Sequence, residues 1–265
     1  MMPFYDVSTT AELEATAGVL AQVCDAAARA NLEIMVVGAA ARDILIGHVV
    51  GSPLQRATTD IDVAVAVASW SDVERLTAQL SRTADSVHRF AVRGVDVDII
   101  PFGGIETDRR TITWPNDHSM DVLGFREAYA AAAQVKLPGD LVVAVASLPA
   151  QSVLKLIAWR DRRYESRRDA IDLKAILDAY HEGTYFDELY DGHVHLLEKH
   201  GFDPVLAGAE RMGLEASSLL HPRYQTAITD LLDHDTSRDA LLADMGTMPG
   251  LGRSMLSAYR EGFRR

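Results

Sequence analysis

The chain has 265 residues, 48% of them apolar and 24% charged, with 26 lysines and arginines against 38 aspartates and glutamates, a formal net charge of −12. At about 100–200 residues per domain, that length holds one large domain or two small ones, and the composition excludes a disordered, collagen-like or low-complexity chain. So acidic a balance repels phosphate backbones, which excludes a general nucleic-acid coat but leaves room for a local basic patch.

No run approaches the roughly 18 consecutive apolar residues of a membrane helix. The opening residues carry neither a basic stretch nor an apolar one, and Cys24 is the single cysteine. The expectation is a cytoplasmic protein with no membrane partner and no intrachain disulfide.

In chain order, Thr9 to Glu12 has capping-box spacing, which predicts a helix through the alanine-rich segment to about Ala30. Ile34 to Val37 is a short buried strand ending at Gly38, and residues 39–47 have helical composition, with Gly47 placed to end that helix. A polar loop with Gly51 and Pro53 leads to a strand from Asp60 to Val67. Ser71 to Glu74 predicts a second capping box, opening a helix to about Thr83. Strands follow near 86–92 and 95–100 around a turn at Gly94, and Pro138-Gly139-Asp140 predicts a hairpin turn before the strand Leu141 to Val145. Pro149 suits the first turn of a helix, and from there to Arg265 helical patterns dominate. The expected fold class is α/β (α+β), a mixed-sheet domain over 1–148 followed by a helical domain over 149–265.

The chemistry concentrates on two strands. Side chains alternate faces along a strand, so Ile61, Val63, Val65 and Val67 share a core face while Asp60, Asp62, Ala64 and Ala66 share the other. The two carboxylates stand about 6.6 Å apart beside small residues. Val95 to Ile100 repeats the partition, with Asp96 and Asp98 together. If the strands are neighbours, three or four carboxylates converge, and such a cluster is costly unless cations occupy it or some groups protonate. Oxygen-only ligands select a hard cation, and Mg²⁺ held by carboxylates plus substrate phosphates is the commonest use. The strand–Gly38–helix unit offers free N–H groups to a phosphate, with Gly38 allowing close approach. Together these features point to phosphoryl or nucleotidyl transfer. Neither a P-loop nor a G-x-G-x-x-G pattern is present.

Three segments carry a family resemblance: Val37-Gly38-Ala39-Ala40-Ala41-Arg42-Asp43, Arg56-Ala57-Thr58-Thr59-Asp60-Ile61-Asp62 and Val97-Asp98-Ile99-Ile100-Pro101-Phe102-Gly103. They resemble the core motifs of polymerase-beta-like nucleotidyltransferases, and more narrowly the bacterial branch of AbiEii toxins and their MenT-type relatives. The resemblance continues through Leu154 to Arg162 and Arg168 to Leu173, where the family pattern has a matching Lys and a later Asp-x-x-Asp-Leu. It implies a Mg²⁺-dependent transfer of NMP from an NTP, with Asp60, Asp62 and Asp98 holding two metal ions. It also implies Gly38, Ala39, Arg42 and Lys155 at the nucleotide and Asp172 in the catalytic set. The family usually carries Gly-Gly or Gly-Ser where this chain has Gly38-Ala39, so backbone N–H groups remain as the phosphate contacts there. An RNA acceptor such as the tRNA 3′ end and a cognate antitoxin follow from the resemblance alone. The alternatives are nucleotidylation of a small hydroxylated molecule such as an antibiotic, and a degenerate module that binds a nucleotide or a protein.

Residues 151–175 form a basic segment containing Lys155, Arg160, Arg162, Arg163, Arg167, Arg168 and Lys174. Lys155, Trp159 and Arg162 share a helix face that could meet a triphosphate or a nucleic-acid backbone, or be a solvated, salt-bridged surface. Asp169 and Asp172 lie one turn apart, as ion-pair partners or as active-site groups. Arg42 and Asp43 read equally as loop-orienting residues and as a plain ion pair. His193 and His195 are expected at the surface and Cys24 in the core.

Overall fold

The computed structural model describes residues 3–52, 60–83 and 86–265. The loop expected around Pro53 and the Arg56 to Thr59 part of the second motif lie outside them. The chain forms two compact units, one of Met1–Ile44 with Leu54–Ser147 and one of Leu45–Pro53 with Leu148–Arg265.

The strands of the first unit are β1 (Phe4–Asp6), β2 (Ile34–Val37), β3 (Asp60–Val67), β4 (Ser81–Arg82), β5 (Arg89–Val92), β6 (Val95–Gly103), β7 (Thr111–Thr113), β8 (Ser119–Asp121), β9 (Ala133–Leu137) and β10 (Leu141–Val145). β7 and β8 pair with each other, and the rest make one mixed sheet in the order β1-β9-β10-β2-β3-β6-β5-β4. At its centre β2 runs antiparallel to β3, and β3 runs parallel to β6. The alternation read from the sequence holds there, since Ile61, Val63, Val65, Val97 and Ile99 are all buried. Two tight turns set the neighbouring registers. Arg93 and Gly94 both have positive φ, 52° and 82°, the requirement of the two-residue turn whose twist matches paired strands. That turn joins β5 to β6, and the Pro138-Gly139-Asp140 turn joins antiparallel β9 and β10.

The helices of this unit are α1 (Glu14–Arg29), α2 (Gly38–Asp43), α3 (Trp70–Thr77) and α4 (Phe125–Ala130). Three sequence expectations are corrected here. The Thr9 capping box does not form: the Asp6 carboxylate accepts from Ser8 N–H, the Val7 carbonyl accepts from Thr10 N–H, and α1 is entered through a single 3-10 turn, Ala11–Leu13. The second box sits two residues earlier than expected, with Asp72 accepting from the N–H groups of Ala68 and Ser69 at 2.7 and 2.9 Å. Its helix closes at Thr77, because the chain must turn into β4. Gly47 does not end the helix after β2. A π-helical stretch, Ile44–Val50, runs through it, and Gly51, at φ 81°, is where the chain leaves the helix. A lone glycine costs a helix interior only about 1 kcal/mol, too little to stop it.

The second unit is helical among the described residues: α5 (Leu148–Arg162), α6 (Arg168–Ala179), α7 (Gly183–Gly192), α8 (Val194–Lys199), α9 (Pro204–Leu219), α10 (Pro222–Asp233), α11 (Asp235–Met245) and α12 (Pro249–Phe263). Its tightest packing is between α9 and α12. A Cβ added at Gly213 would lie 2.0 Å from the Tyr259 carbonyl oxygen, and one at Gly262 would lie 2.0 Å from that of Glu210. The two backbones therefore meet with no side chain between them. Cys24 is half-buried rather than a core residue, and burial pushes its thiol pKa up to about 11. Among the described residues, no helix is long and apolar enough to cross a membrane.

Candidate active site

The pairing of β3 with β6 brings the two Asp-x-Asp sequences side by side, with Asp60 opposite Asp96 and Asp62 opposite Asp98. In-register neighbours in a sheet point to the same side, so all four carboxylates share one face. Asp98 is buried, while Asp60 and Asp62 are half-buried.

A fifth residue completes this face. The β5–β6 turn sets Arg89 opposite Asp98. Its Nε and Nη2 donate to the two Asp98 oxygens at 2.8 and 2.7 Å, the two-pronged geometry that guanidinium and carboxylate favour. Nη2 also lies 3.7 Å from Asp60 Oδ2, and Nη1 lies 3.7 Å from Asp96 Oδ2. The hydrogen bond to Asp98, above all, holds the Arg89 pKa above its ordinary value. Sequence reasoning missed Arg89. The signal was a two-residue turn at Arg93-Gly94, which places residue 92 opposite 95 and hence 89 opposite 98.

Asp62 is held from the other side. Val37, the last residue of β2, pairs with Asp62, and the next residue is Gly38 at φ 64°. A Cβ built on Gly38 would lie 2.0 Å from Asp62 Oδ2. The group closely approaching the Gly38 backbone is thus the Asp62 carboxylate. Ala39 follows at the start of α2, half-buried. Arg42 is buried, and its Nε donates to Asp43 Oδ1 at 2.8 Å, an ion pair compatible with either role expected of these two residues.

In the second unit, Lys155 Nζ lies 2.6 Å from Asp172 Oδ2 and 3.1 Å from Asp169 Oδ1. Arg162 grips Asp169 through Nε at 2.7 Å and Nη2 at 2.9 Å. Asp169 is 1% exposed. Burial pushes its carboxyl pKa up, but Arg162 and Lys155 outweigh that, and the net position is below the ordinary value. Trp159, on the predicted face, is buried and donates from Nε1 to Asp244 at 2.9 Å. The basic segment is largely committed to partners: Arg160 to Asp161, Arg167 to Asp244, Lys174 to Asp178, and Arg163 over the rings of Trp159 and Tyr164. His195 is exposed and His193 half-buried.

The donor chemistry of Asp60, Asp62 and Asp98 suits a hard divalent cation. As the side chains stand, no group of three His, Cys, Asp or Glu residues among those described is arranged to hold a metal ion, and Arg89 takes both Asp98 oxygens.

The family described as nucleotidyl transferase AbiEii toxin, type IV TA system, matches residues 45–244. The chain belongs to this family. It is therefore a nucleotidyltransferase, and the matched span contains Asp60, Asp62, Asp98, Lys155 and Asp172 but starts after Gly38 and Arg42. No curated protein matches the chain. Among solved structures it is similar to the antibiotic-resistance factor ANT(2'')-Ia in solution, at 11% identity and TM-score 0.40 over 71% of this chain and 94% of that one. It is similar to ANT(2'')-Ia in complex with adenylyl-2''-tobramycin, at 12% identity and TM-score 0.41 over 70% and 99% of the two chains. A third similarity is to an apo CCA-adding enzyme, at 13% identity and TM-score 0.32 over 90% of this chain and 69% of that one.

Proposed function

We propose that the carboxylate face of the first unit transfers a nucleoside monophosphate from an NTP to an acceptor hydroxyl and releases pyrophosphate. The observation that carries this reading is the in-register pairing of β3 with β6, which gathers Asp60, Asp62, Asp96 and Asp98 on one face. Asp60, Asp62 and Asp98 would hold two Mg²⁺ ions, and bound there the ions would neutralise charge at the attacking and leaving oxygens. Gly38 and Ala39 would present backbone N–H groups to the phosphates while Gly38 seats the Asp62 carboxylate. Arg42, locked to Asp43, would hold the shape of that turn. Within the second unit, Lys155 and Asp172, 2.6 Å apart, would be the charged pair that the resemblance assigns to the catalytic set.

For the acceptor we propose RNA, specifically the tRNA 3′ end, in a cytoplasmic toxin–antitoxin setting with a cognate antitoxin. The family's toxin character supports this. A small cationic hydroxylated acceptor is the second reading, and the net charge of −12 favours it by attracting such a molecule. Induction in a bacterial host separates them. Growth arrest by the wild type and not by Asp62→Asn supports the toxin reading. Unimpaired growth, with pyrophosphate released in vitro on adding an aminoglycoside-like acceptor, would replace it with the second.

A further inference from the structure

Four carboxylates in register on two neighbouring strands repel one another, and like charges directly opposite in a sheet are destabilising. In this structure Arg89 answers that repulsion. One guanidinium reaches three of the four, with both Asp98 oxygens at hydrogen-bond distance and Asp60 and Asp96 at 3.7 Å. Its placement relative to a metal ion is specific. The single atom Nη2 lies 2.7 Å from Asp98 Oδ2 and 3.7 Å from Asp60 Oδ2. Mg²⁺ demands oxygens at about 2.0–2.1 Å, so an ion shared by these two carboxylates needs the space this nitrogen fills. The Arg89 side chain is also 35% exposed, on a strand that, among the described residues, has only the two-residue β4 outside it in the sheet. It is therefore free to exchange its partners for water.

We propose that Arg89 is a built-in counter-cation of the carboxylate face that competes with divalent cations for Asp60 and Asp98, so that a metal ion enters only as the guanidinium leaves. The proposal rests on reading that face as the metal-dependent transfer site. It gives the protein a carboxylate cluster that is satisfied without metal, and it makes metal loading weaker than the bare cluster would allow. The contrary role for Arg89 is a positioning one, in which it stays on Asp98 and orients it for the ion. The two roles predict opposite signs, because losing an orienting partner typically costs about 10–100-fold in metal affinity.

The test is Mn²⁺ binding without nucleotide, read from the loss of the free-ion electron paramagnetic resonance signal. It compares the full-length wild type with Arg89→Gln, Arg89→Lys and Asp98→Asn, with circular dichroism as the folding control. Because the ion must first displace a charge-assisted, two-pronged hydrogen bond, Arg89→Gln, which has none to give up, is expected to bind Mn²⁺ about tenfold or more tightly. Arg89→Lys keeps the charge but loses the two-pronged grip, so it falls between wild type and Arg89→Gln. Without metal, Arg89→Gln melts below the wild type, and Mn²⁺ closes the gap. Unchanged or weaker binding by Arg89→Gln, or by Arg89→Lys if the first variant does not fold, overturns the proposal. If Asp98→Asn also loses affinity in that case, the metal site itself stands. If neither the wild type nor any variant takes up Mn²⁺, both the proposal and the metal-site reading fall.

Discussion

Gly38 is the position where one methyl group tests the most of this account. Its φ of 64° lies in the left-handed region, and a Cβ there would stand 2.0 Å from Asp62 Oδ2, 2.7 Å from Asp62 Cγ and 2.9 Å from Asp62 Cβ. In Gly38→Ala the backbone term alone costs about 1–2 kcal/mol. The steric term is not absorbed by the tip of a flexible side chain, because all three contacts belong to the short Asp62 side chain, and the whole carboxylate must turn away. A displacement of about 1 Å in a catalytic group lowers rates by about 10²-fold. We therefore expect Gly38→Ala to lose about 100-fold in nucleotidyl transfer while the backbone term alone lowers its thermal midpoint by about 2–8 °C, taking about 2–4 °C per kcal/mol for a chain of this size, and the clash with Asp62 adds to that fall. The assay pairs melting curves with initial rates of pyrophosphate release at saturating NTP. Wild-type rates in a folded Gly38→Ala would refute the assignment of Asp62 and its seat on Gly38.

In the second unit, Gly213→Ala places a Cβ 2.0 Å from the Tyr259 carbonyl oxygen and must push α9 and α12 apart. It should cost about 1–3 kcal/mol in urea denaturation, with a neutral result contradicting the close packing. Asp169→Asn leaves Arg162 and Lys155 facing a neutral amide at a 1% exposed position and should destabilise by about 3 kcal/mol at pH 7. Because the folded carboxyl of Asp169 titrates below its ordinary value of 3.8, the unfolded chain binds the proton first as pH falls. The stability Asp169 contributes is thus complete above about pH 4 and lost as pH drops through the folded value. Melts from pH 7 to pH 3 should show the wild type losing its advantage over Asp169→Asn below about pH 4. A constant gap would contradict the pairing.

What could be read from the sequence was mostly periodicity. The alternation of Asp60, Asp62, Asp96 and Asp98 with Ile61, Val63, Val97 and Ile99 requires only a period of two, and the structure keeps it. Gly94 and Pro138-Gly139-Asp140 announce their turns through backbone conformations that few residues adopt readily. Features decided by pairing were not legible in the same way. Arg89 became part of the site through the β5–β6 register, two steps of inference beyond the turn. Ser69-x-x-Asp72 and Ser71-x-x-Glu74 both have capping-box spacing, and the choice fell to the pair whose carboxylate could also reach Ala68 N–H. The basic segment looked like an anion-binding face because sequence displays charges but not their partners. Asp169, which takes Arg162, stands within the segment and was already one of the partners its spacing offered, but Asp244, which takes Arg167, lies far along the chain on α11. The short β7–β8 pair and α4 are too brief for any periodicity to mark them.

The central claim, that the Asp60/Asp62/Asp98 face carries out nucleotidyl transfer, meets its most direct test in a labelling experiment. Purified wild type and Asp62→Asn are incubated with Mg²⁺, total tRNA and each α-³²P-labelled NTP in turn. The account predicts label on tRNA with the wild type for at least one NTP, none with Asp62→Asn, and nearly equal melting midpoints for the two proteins. Label transferred equally well by Asp62→Asn would contradict it.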